Sequence, residues 1–284
     1  MADDLTLELE HGRLTIAREA VAFIHHHKSE PFFLYVPYNA VHTPQEAPAK
    51  YTDRFPEIKD HGRKLELAML SAEDDGVGKI LARLHDAGLD QNTLVVYFSD
   101  NGGPTWSNFS VNTPLRGYKG LLWEGGIRIP FMIRWTDHIP AGQVRDEMVI
   151  SLDLFPTALA AAGIEPRKKL QLDGVNLLPW LEKKTTESPH QTLYWRMEPQ
   201  WAIRDGNFKL VSALDAGGPR LFDLSKDIGE KQDLMKEKPE IASRLKEKYD
   251  AWNAHNMRPL WPEKQEGRRW AKKAAAEMSA PDAE

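Results

Sequence analysis

Apolar positions recur at helical spacing near the start of the chain. Leu14, Ala17, Val21 and Ile24, widened by Ala20 and Phe23, predict a helix over 14–28. After Pro31 the pattern changes: Phe32, Phe33, Leu34, Tyr35 and Val36 form an apolar run without alternation, which predicts a strand buried on both faces. Pro37, Pro44 and Pro48 make the next stretch a loop. A second helical stripe runs through Leu65, Ala68, Met69, Ala72, Ile80, Leu81 and Leu84, interrupted by Gly76 and Gly78, with Gly88 placed to stop it. Residues 93–98 predict a second buried strand, which ends in Ser99-Asp100-Asn101-Gly102-Gly103. After a long loop, 127–133 is a third strand candidate. Residues 152–162 predict a helix with Ser151 as N-cap and Gly163 as stop.

Strands alternating with helices indicate an α/β fold, a mostly parallel sheet flanked by helices. Near residue 190 the character changes. Short strand candidates follow at 193–197, 201–204, 207–211 and 220–224, with Asp205-Gly206 as a hairpin turn and a charged helix from Pro239 to about Asn253. That is a small antiparallel sheet with one covering helix. The expected organisation is 1–190 as the main domain, 191–262 as a C-terminal subdomain and 263–284 as a tail rich in Lys, Arg, Ala and Glu.

Composition narrows the function classes. The net charge of −5 provides no basic face for nucleic acid and no attraction to an anionic membrane. No run reaches the roughly 18 apolar residues of a membrane span. The acidic opening MADDLTLELEHGR lacks the basic and apolar regions of a signal peptide, so as written the chain is expected to stay in the cytoplasm. With no cysteine, disulfides, thiolate metal sites and cysteine nucleophiles are excluded from these residues.

Three segments could carry chemistry. Asp100 and Asn101 follow a strand, where ligands of open α/β sheets bind, and offer oxygens suited to Ca²⁺ or Mg²⁺. The glycines after them would let the backbone turn sharply; an Asn-Gly turn with the aspartate as a local cap fits the local sequence equally well. His42, in Val41-His42-Thr43-Pro44, could donate a proton or contact an anion; by itself such a residue is more often a structural loop histidine. Lys119 lies in Leu115-Arg116-Gly117-Tyr118-Lys119-Gly120, ahead of Trp123-Glu124-Gly125-Gly126, and is a point charge suited to an anion; alone it is a solvated lysine.

Taken together and in order, Pro31-Phe32-Phe33-Leu34-Tyr35, Val41-His42-Thr43-Pro44, Ser99-Asp100-Asn101-Gly102-Gly103, Arg116-Gly117-Tyr118-Lys119-Gly120 and Trp123-Glu124-Gly125-Gly126 resemble the sulfatase family, of arylsulfatase type in the alkaline-phosphatase-like superfamily. Trp201-Ala202-Ile203-Arg204, Phe208-Lys209-Leu210 and Leu221-Phe222-Asp223-Leu224 resemble its C-terminal subdomain. The resemblance implies that Asp100 and Asn101 are ligands of the family's divalent cation, usually Ca²⁺. It implies that Lys119 holds the sulfate of a sulfate ester substrate and that His42 contacts it near the leaving-group oxygen.

The sequence departs from the family in the elements of its N-terminal part. Sulfatases attack with a formylglycine hydrate made from Cys or Ser in a Cys/Ser-x-Pro/Ala-x-Arg motif, and no such motif occurs here. The family's first-strand Asp-Asp pair is also missing: neither Asp3-Asp4 nor Asp74-Asp75 follows a buried strand. The expectation is a C-terminal portion of a sulfatase, inactive in isolation, with a separate N-terminal sulfatase segment as an expected partner. Complete family members are usually exported to the periplasm or secreted. The competing readings are a non-catalytic fragment and a phosphatase or phosphodiesterase relative, for which His138 is the one nearby extra ligand candidate. Weaker signals are His25-His26-His27 at a helix end, the aromatics Tyr194, Trp195 and Trp201, and the glycosylation pattern Asn108-Phe109-Ser110.

Overall fold

A computed structural model describes residues 12–167 and 169–258. The chain forms two units. One holds the chain up to Tyr97 with Gly103–Val111 and Phe131–Gly142; the other holds Phe98–Gly102, Asn112–Pro130 and the chain from Gln143 onward.

In the first unit, α1 (Gly12–His27) packs along α3 (His61–Asp86). Asp60 caps α3 by accepting from the Arg63 N–H at 2.6 Å, so the helix begins before the apolar stripe does. It runs unbroken through both interior glycines. Gly76 is where α1 comes close: a methyl there would lie 3.1 Å from the Ala17 Cβ and 2.9 Å from the Tyr38 hydroxyl. At the other end Gly88 N–H donates to His85 O and Leu89 N–H to Leu84 O, both at 2.9 Å, a Schellman closure with Gly88 at φ +69°. The short α2 (Ala49–Thr52) lies on α3 with Tyr51 buried, and Arg54 grips Asp75 through two nitrogens at 3.0 and 2.7 Å.

The expected strand at Phe32–Val36 does not form. Its side chains alternate instead between half-buried and exposed, with Phe33 79% and Tyr35 70% accessible. The apolar run called for neighbours on both faces, and here only one face has them. The strands β1 (Val95–Phe98) and β2 (Phe131–Arg134) form a two-stranded sheet. β1 is half-buried rather than buried, and the third strand candidate is displaced. Between the two strands lie the single-turn helices α4 (Thr105–Asn108) and α5 (Glu124–Ile127), and α5 occupies the residues where that strand was expected to start.

In the second unit, residues 151–153 form a 3₁₀ turn leading into α6 (Leu154–Ala161), followed by α7 (Leu178–Leu181). The expected capping by Ser151 is replaced by Asp153, which accepts from the Ile150 N–H at 2.8 Å. Gly163 closes α6 at φ +67°. The C-terminal sheet matches its sequence reading: β3 (Thr192–Met197), β4 (Gln200–Asp205), β5 (Phe208–Ser212) and β6 (Arg220–Asp223) form an antiparallel meander in that order. Asp205-Gly206-Asn207 makes the β4–β5 turn, with Gly206 at φ +58°. One face of the sheet packs Ile203, Leu210 and Leu221 against Leu245 and Tyr249 of α8 (Pro239–Asn253). The other packs Ala202, Val211 and Phe222 against Leu121, Leu122 and Trp123. The fold is thus mixed α/β with a small antiparallel sheet under one helix. The tail from residue 263 and the Asp3-Asp4 pair lie outside the described residues.

Candidate active site

The Asp100-Asn101 segment follows β1 and is folded on itself by short bonds. Asp100 Oδ1 accepts from the Asn101 N–H at 2.8 Å, Asn101 Nδ2 donates to Gly102 O at 3.0 Å, and Ser99 Oγ donates to Asn101 O at 3.0 Å. The local cap expected of an Asn-Gly turn is present. It leaves Asp100 exposed and the Asn101 amide oxygen outside these bonds.

Gly102 has a different role from the expected sharp turn, because its φ is not positive. It is a glycine for space. A Cβ there would lie 1.7 Å from Gly125 O, and the Gly102 N–H donates to Gly126 O at 3.0 Å. Gly125 in turn lies against the Gly117 and Arg116 carbonyls, with Cβ distances of 2.4 and 2.5 Å, and Gly126 against Leu121 O and Tyr118 O at 2.0 and 2.6 Å. Backbone thus stacks on backbone from the Asp100-Asn101 turn, through the 124–126 turn, to the 116–121 loop that carries Lys119. Lys119 is half-buried and has no hydrogen-bond or ion-pair partner among the described residues.

His42 lies in the first unit, whereas Asp100, Asn101 and Lys119 lie in the second. Its ring is exposed, and Nδ1 sits 2.7 Å from Thr43 O. A carbonyl only accepts, so Nδ1 carries a proton and Nε2 is the nitrogen left for chemistry.

For a hard cation, Asp100 and Asn101 are right in kind and short in number. Ca²⁺ takes about six to eight oxygens. No group of three His, Asp or Glu that could hold a metal ion exists among the described residues. These two residues therefore do not make a complete site by themselves.

The sequence reading missed a buried ion cluster under the same loop. Lys209 on β5 is fully buried, with Nζ 2.8 Å from Glu124 Oε1 and 2.9 Å from Glu230 Oε1. Glu230 Oε2 accepts from the Glu124 N–H at 2.7 Å, and burial raises the Glu230 carboxyl against the pull of Lys209. Arg116 donates to Glu230 O at 3.0 Å while its guanidinium lies 3.8 Å from the Trp123 ring centre. Gln200 Nε2 donates to Gly120 O at 2.8 Å. The one sequence signal for this cluster was a lysine inside an apolar strand, Phe208-Lys209-Leu210-Val211.

The weaker candidates resolve into structure. His26 and His27 point to different partners, Ala22 O at 2.7 Å and Glu30 at 2.5 Å. His138 stacks on Trp135 at 3.9 Å. Tyr194 and Trp201 pack with Trp252 and Tyr249 on the α8 face, while Trp195 packs on the opposite one. Asn108 is buried, its Oδ1 accepting from Ser110 N–H and Oγ. His190, also unread in the sequence, holds the fully buried Asp153, which gathers the Ile150 and Val175 N–H groups as well.

This fold has counterparts among known proteins. The Sulfatase family model matches residues 14–164, and the model for the C-terminal region of N-sulphoglucosamine sulphohydrolase matches 118–255. The chain belongs to the sulfatase family. It is 31% identical over 300 residues to steryl-sulfatase of Mus musculus, a match covering 89% of this chain and 46% of that protein. It is 35% identical over 182 residues to the uncharacterized sulfatase YdeN of Escherichia coli K12, covering 62% and 32%. The solved structure of Ps i-CgsB in complex with k-i-k-neocarrahexaose is 35% identical with a TM-score of 0.82, covering 92% of this chain and 59% of that one. The chain thus spans less than half the length of these two curated relatives. No helix among the described residues is long and apolar enough to cross a membrane.

Proposed function

We propose that these residues form part of an active site that hydrolyses sulfate esters, and that the 284 residues have no useful turnover by themselves. The observation that carries the reading is Lys119: a half-buried ammonium with no hydrogen-bond or ion-pair partner among the described residues, on a loop locked by backbone contacts to the Asp100-Asn101 turn. An ammonium held that way is suited to neutralising a sulfuryl oxygen. Asp100 and Asn101 would supply two of the ligands to a divalent cation, Ca²⁺, and the others would come from outside the described residues. His42, with Nδ1 turned to Thr43 O, would present Nε2 to the leaving oxygen as its proton donor. Relatives named for steryl and for N-acetylgalactosamine-6 sulfates share only the ester, so that is the substrate class proposed.

No formylglycine motif occurs in the sequence, and in a hydrolase where it was measured, losing the nucleophile costs about 10⁶ in turnover. A separate segment carrying that motif and the Asp-Asp pair is the proposed partner; nucleic acid and membranes are not. The test is an aryl sulfate assay of the chain alone and mixed with the N-terminal half of a related sulfatase. Turnover is expected only in the mixture, and lower by about a hundredfold with His42→Ala. Turnover by the chain alone would refute the inactivity. A productive mixture indifferent to both His42→Ala and Lys119→Met would refute the assigned roles.

A further inference from the structure

We infer that Lys209, Glu124 and Glu230 are positioning residues for the anion site, holding the Lys119 loop and, through it, the Asp100-Asn101 turn. The inference deepens the proposed function and rests on it for its functional half. All three side chains are almost fully withdrawn from solvent, at 0%, 3% and 0% exposure. Two carboxylates face one ammonium, with Arg128 3.8 Å from Glu124 Oε2 as a second, exposed cation. Burying such a group carries a desolvation penalty that its internal attraction barely offsets, so it is poor evidence for stability. What the cluster does have is reach.

Lys209 belongs to the rigid meander, between neighbours β4 and β6. From there its ammonium fixes Glu124, the first residue of α5, and Glu230, a non-glycine residue at φ +51°. Glu230 holds the loop at two further points: its carboxylate takes the Glu124 N–H and its carbonyl takes Arg116. Glu124 and Arg116 bracket Lys119. The two residues after Glu124 are Gly125 and Gly126, the surface on which Gly102 rests. A shift of the Glu124 backbone would therefore pass to Gly102 and Asp100 with no flexible side chain between to absorb it. All three are closed off from solvent, so they act through Lys119 and Asp100.

Amide hydrogen exchange of the full chain tests this, comparing wild type with Lys209→Met. Exchange at Gly102, Gly125 and Gly126 should quicken by about tenfold or more while Ile203 and Leu210 of the sheet keep their rates. If Lys209→Met does not fold, the variant with Lys209→Met, Glu124→Gln and Glu230→Gln leaves no unpaired charge buried and carries the same expectation. Acceleration spread evenly over sheet and loop, or none at the three glycines, overturns the inference. The functional half is read by titrating inorganic sulfate and following the Lys119 and Gly120 amides. The expected result is a response in wild type that the variant shows only at several-fold higher sulfate. An equal response in both overturns the positioning role. No response in wild type refutes the anion site itself, while the exchange pattern is unaffected by that outcome.

Discussion

Adding one methyl group at Gly102 tests whether backbone stacking builds the site. In Gly102→Ala the new carbon would lie 1.7 Å from Gly125 O, 2.7 Å from the Gly125 carbonyl carbon and 3.1 Å from the Gly126 Cα. Comfortable contacts between heavy atoms are about 3.5 Å or more, so the two segments must part by well over an ångström. Gly125 cannot yield, since it already rests on the Arg116 and Gly117 carbonyls. The Gly102–Gly126 hydrogen bond goes with the separation. Overpacking costs about 1–3 kcal/mol and the lost bond about 0.5–1.5, for roughly 2–4 kcal/mol in all. At about 2–4 °C per kcal/mol, the second unit should melt roughly 4–16 °C lower. Calorimetry of wild type and variant measures this. Gly120→Ala serves as the comparison: φ is +90° but nothing lies within 4 Å, so it should cost only backbone strain of about 1–2 kcal/mol. A Gly102→Ala protein melting within about 1 °C of wild type would refute the stacking argument.

Two smaller predictions concern the first unit. Gly78→Ala in α3 meets nothing within 4 Å, so it should stabilise the helix by about 0.5–1 kcal/mol, visible as a raised melting temperature; a lowered one would contradict the helix interior assigned here. The Glu73 carboxyl is pushed up by burial, opposed by the hydrogen bond from Tyr97 at 3.2 Å. A folded pKa above the unfolded one favours the folded state only where the group is protonated, so the charged form is a burden at neutral pH. Glu73→Gln, which still accepts from Tyr97, should be the more stable protein at pH 7. That advantage should shrink as the pH falls through the raised folded pKa toward the unfolded value of about 4.3; denaturant melts across that range would show an unchanging gap if the argument were wrong.

Where local pattern and tertiary setting agreed, the sequence was a good guide. The meander β3–β6 announced itself through short apolar runs and an Asp-Gly turn, and α8 through a proline at its first turn. The pattern misled where it presumed neighbours, as in the Phe32–Val36 run with Phe33 and Tyr35 exposed. It also misled at Gly76 and Gly78, taken as interruptions of a helix that runs through both. Motifs pointed to Asp100, Asn101, Lys119 and His42, but not to how they are held. A lysine in a strand normally faces water, so the apolar neighbours of Lys209 were only a weak signal of a buried ammonium. Glu230 carried no local signal, because its importance comes from contacts with Lys209, Glu124 and Arg116 far along the chain.

The charges of the second unit divide into two kinds, and the division is itself an argument about function. Glu124, Glu230 and Lys209 satisfy one another inside the protein, where they fix a loop. Lys119 on that loop has no hydrogen-bond or ion-pair partner among the described residues, and Asp100 is exposed. Stability alone does not call for a lysine without a described partner on a loop this tightly held. The role proposed for Lys119 is electrostatic: a charge fixed in position before the ligand arrives needs no reorganisation when the transition state forms. The backbone contacts under Lys119 would keep that charge in place for the proposed anion, so loosening them should weaken anion binding.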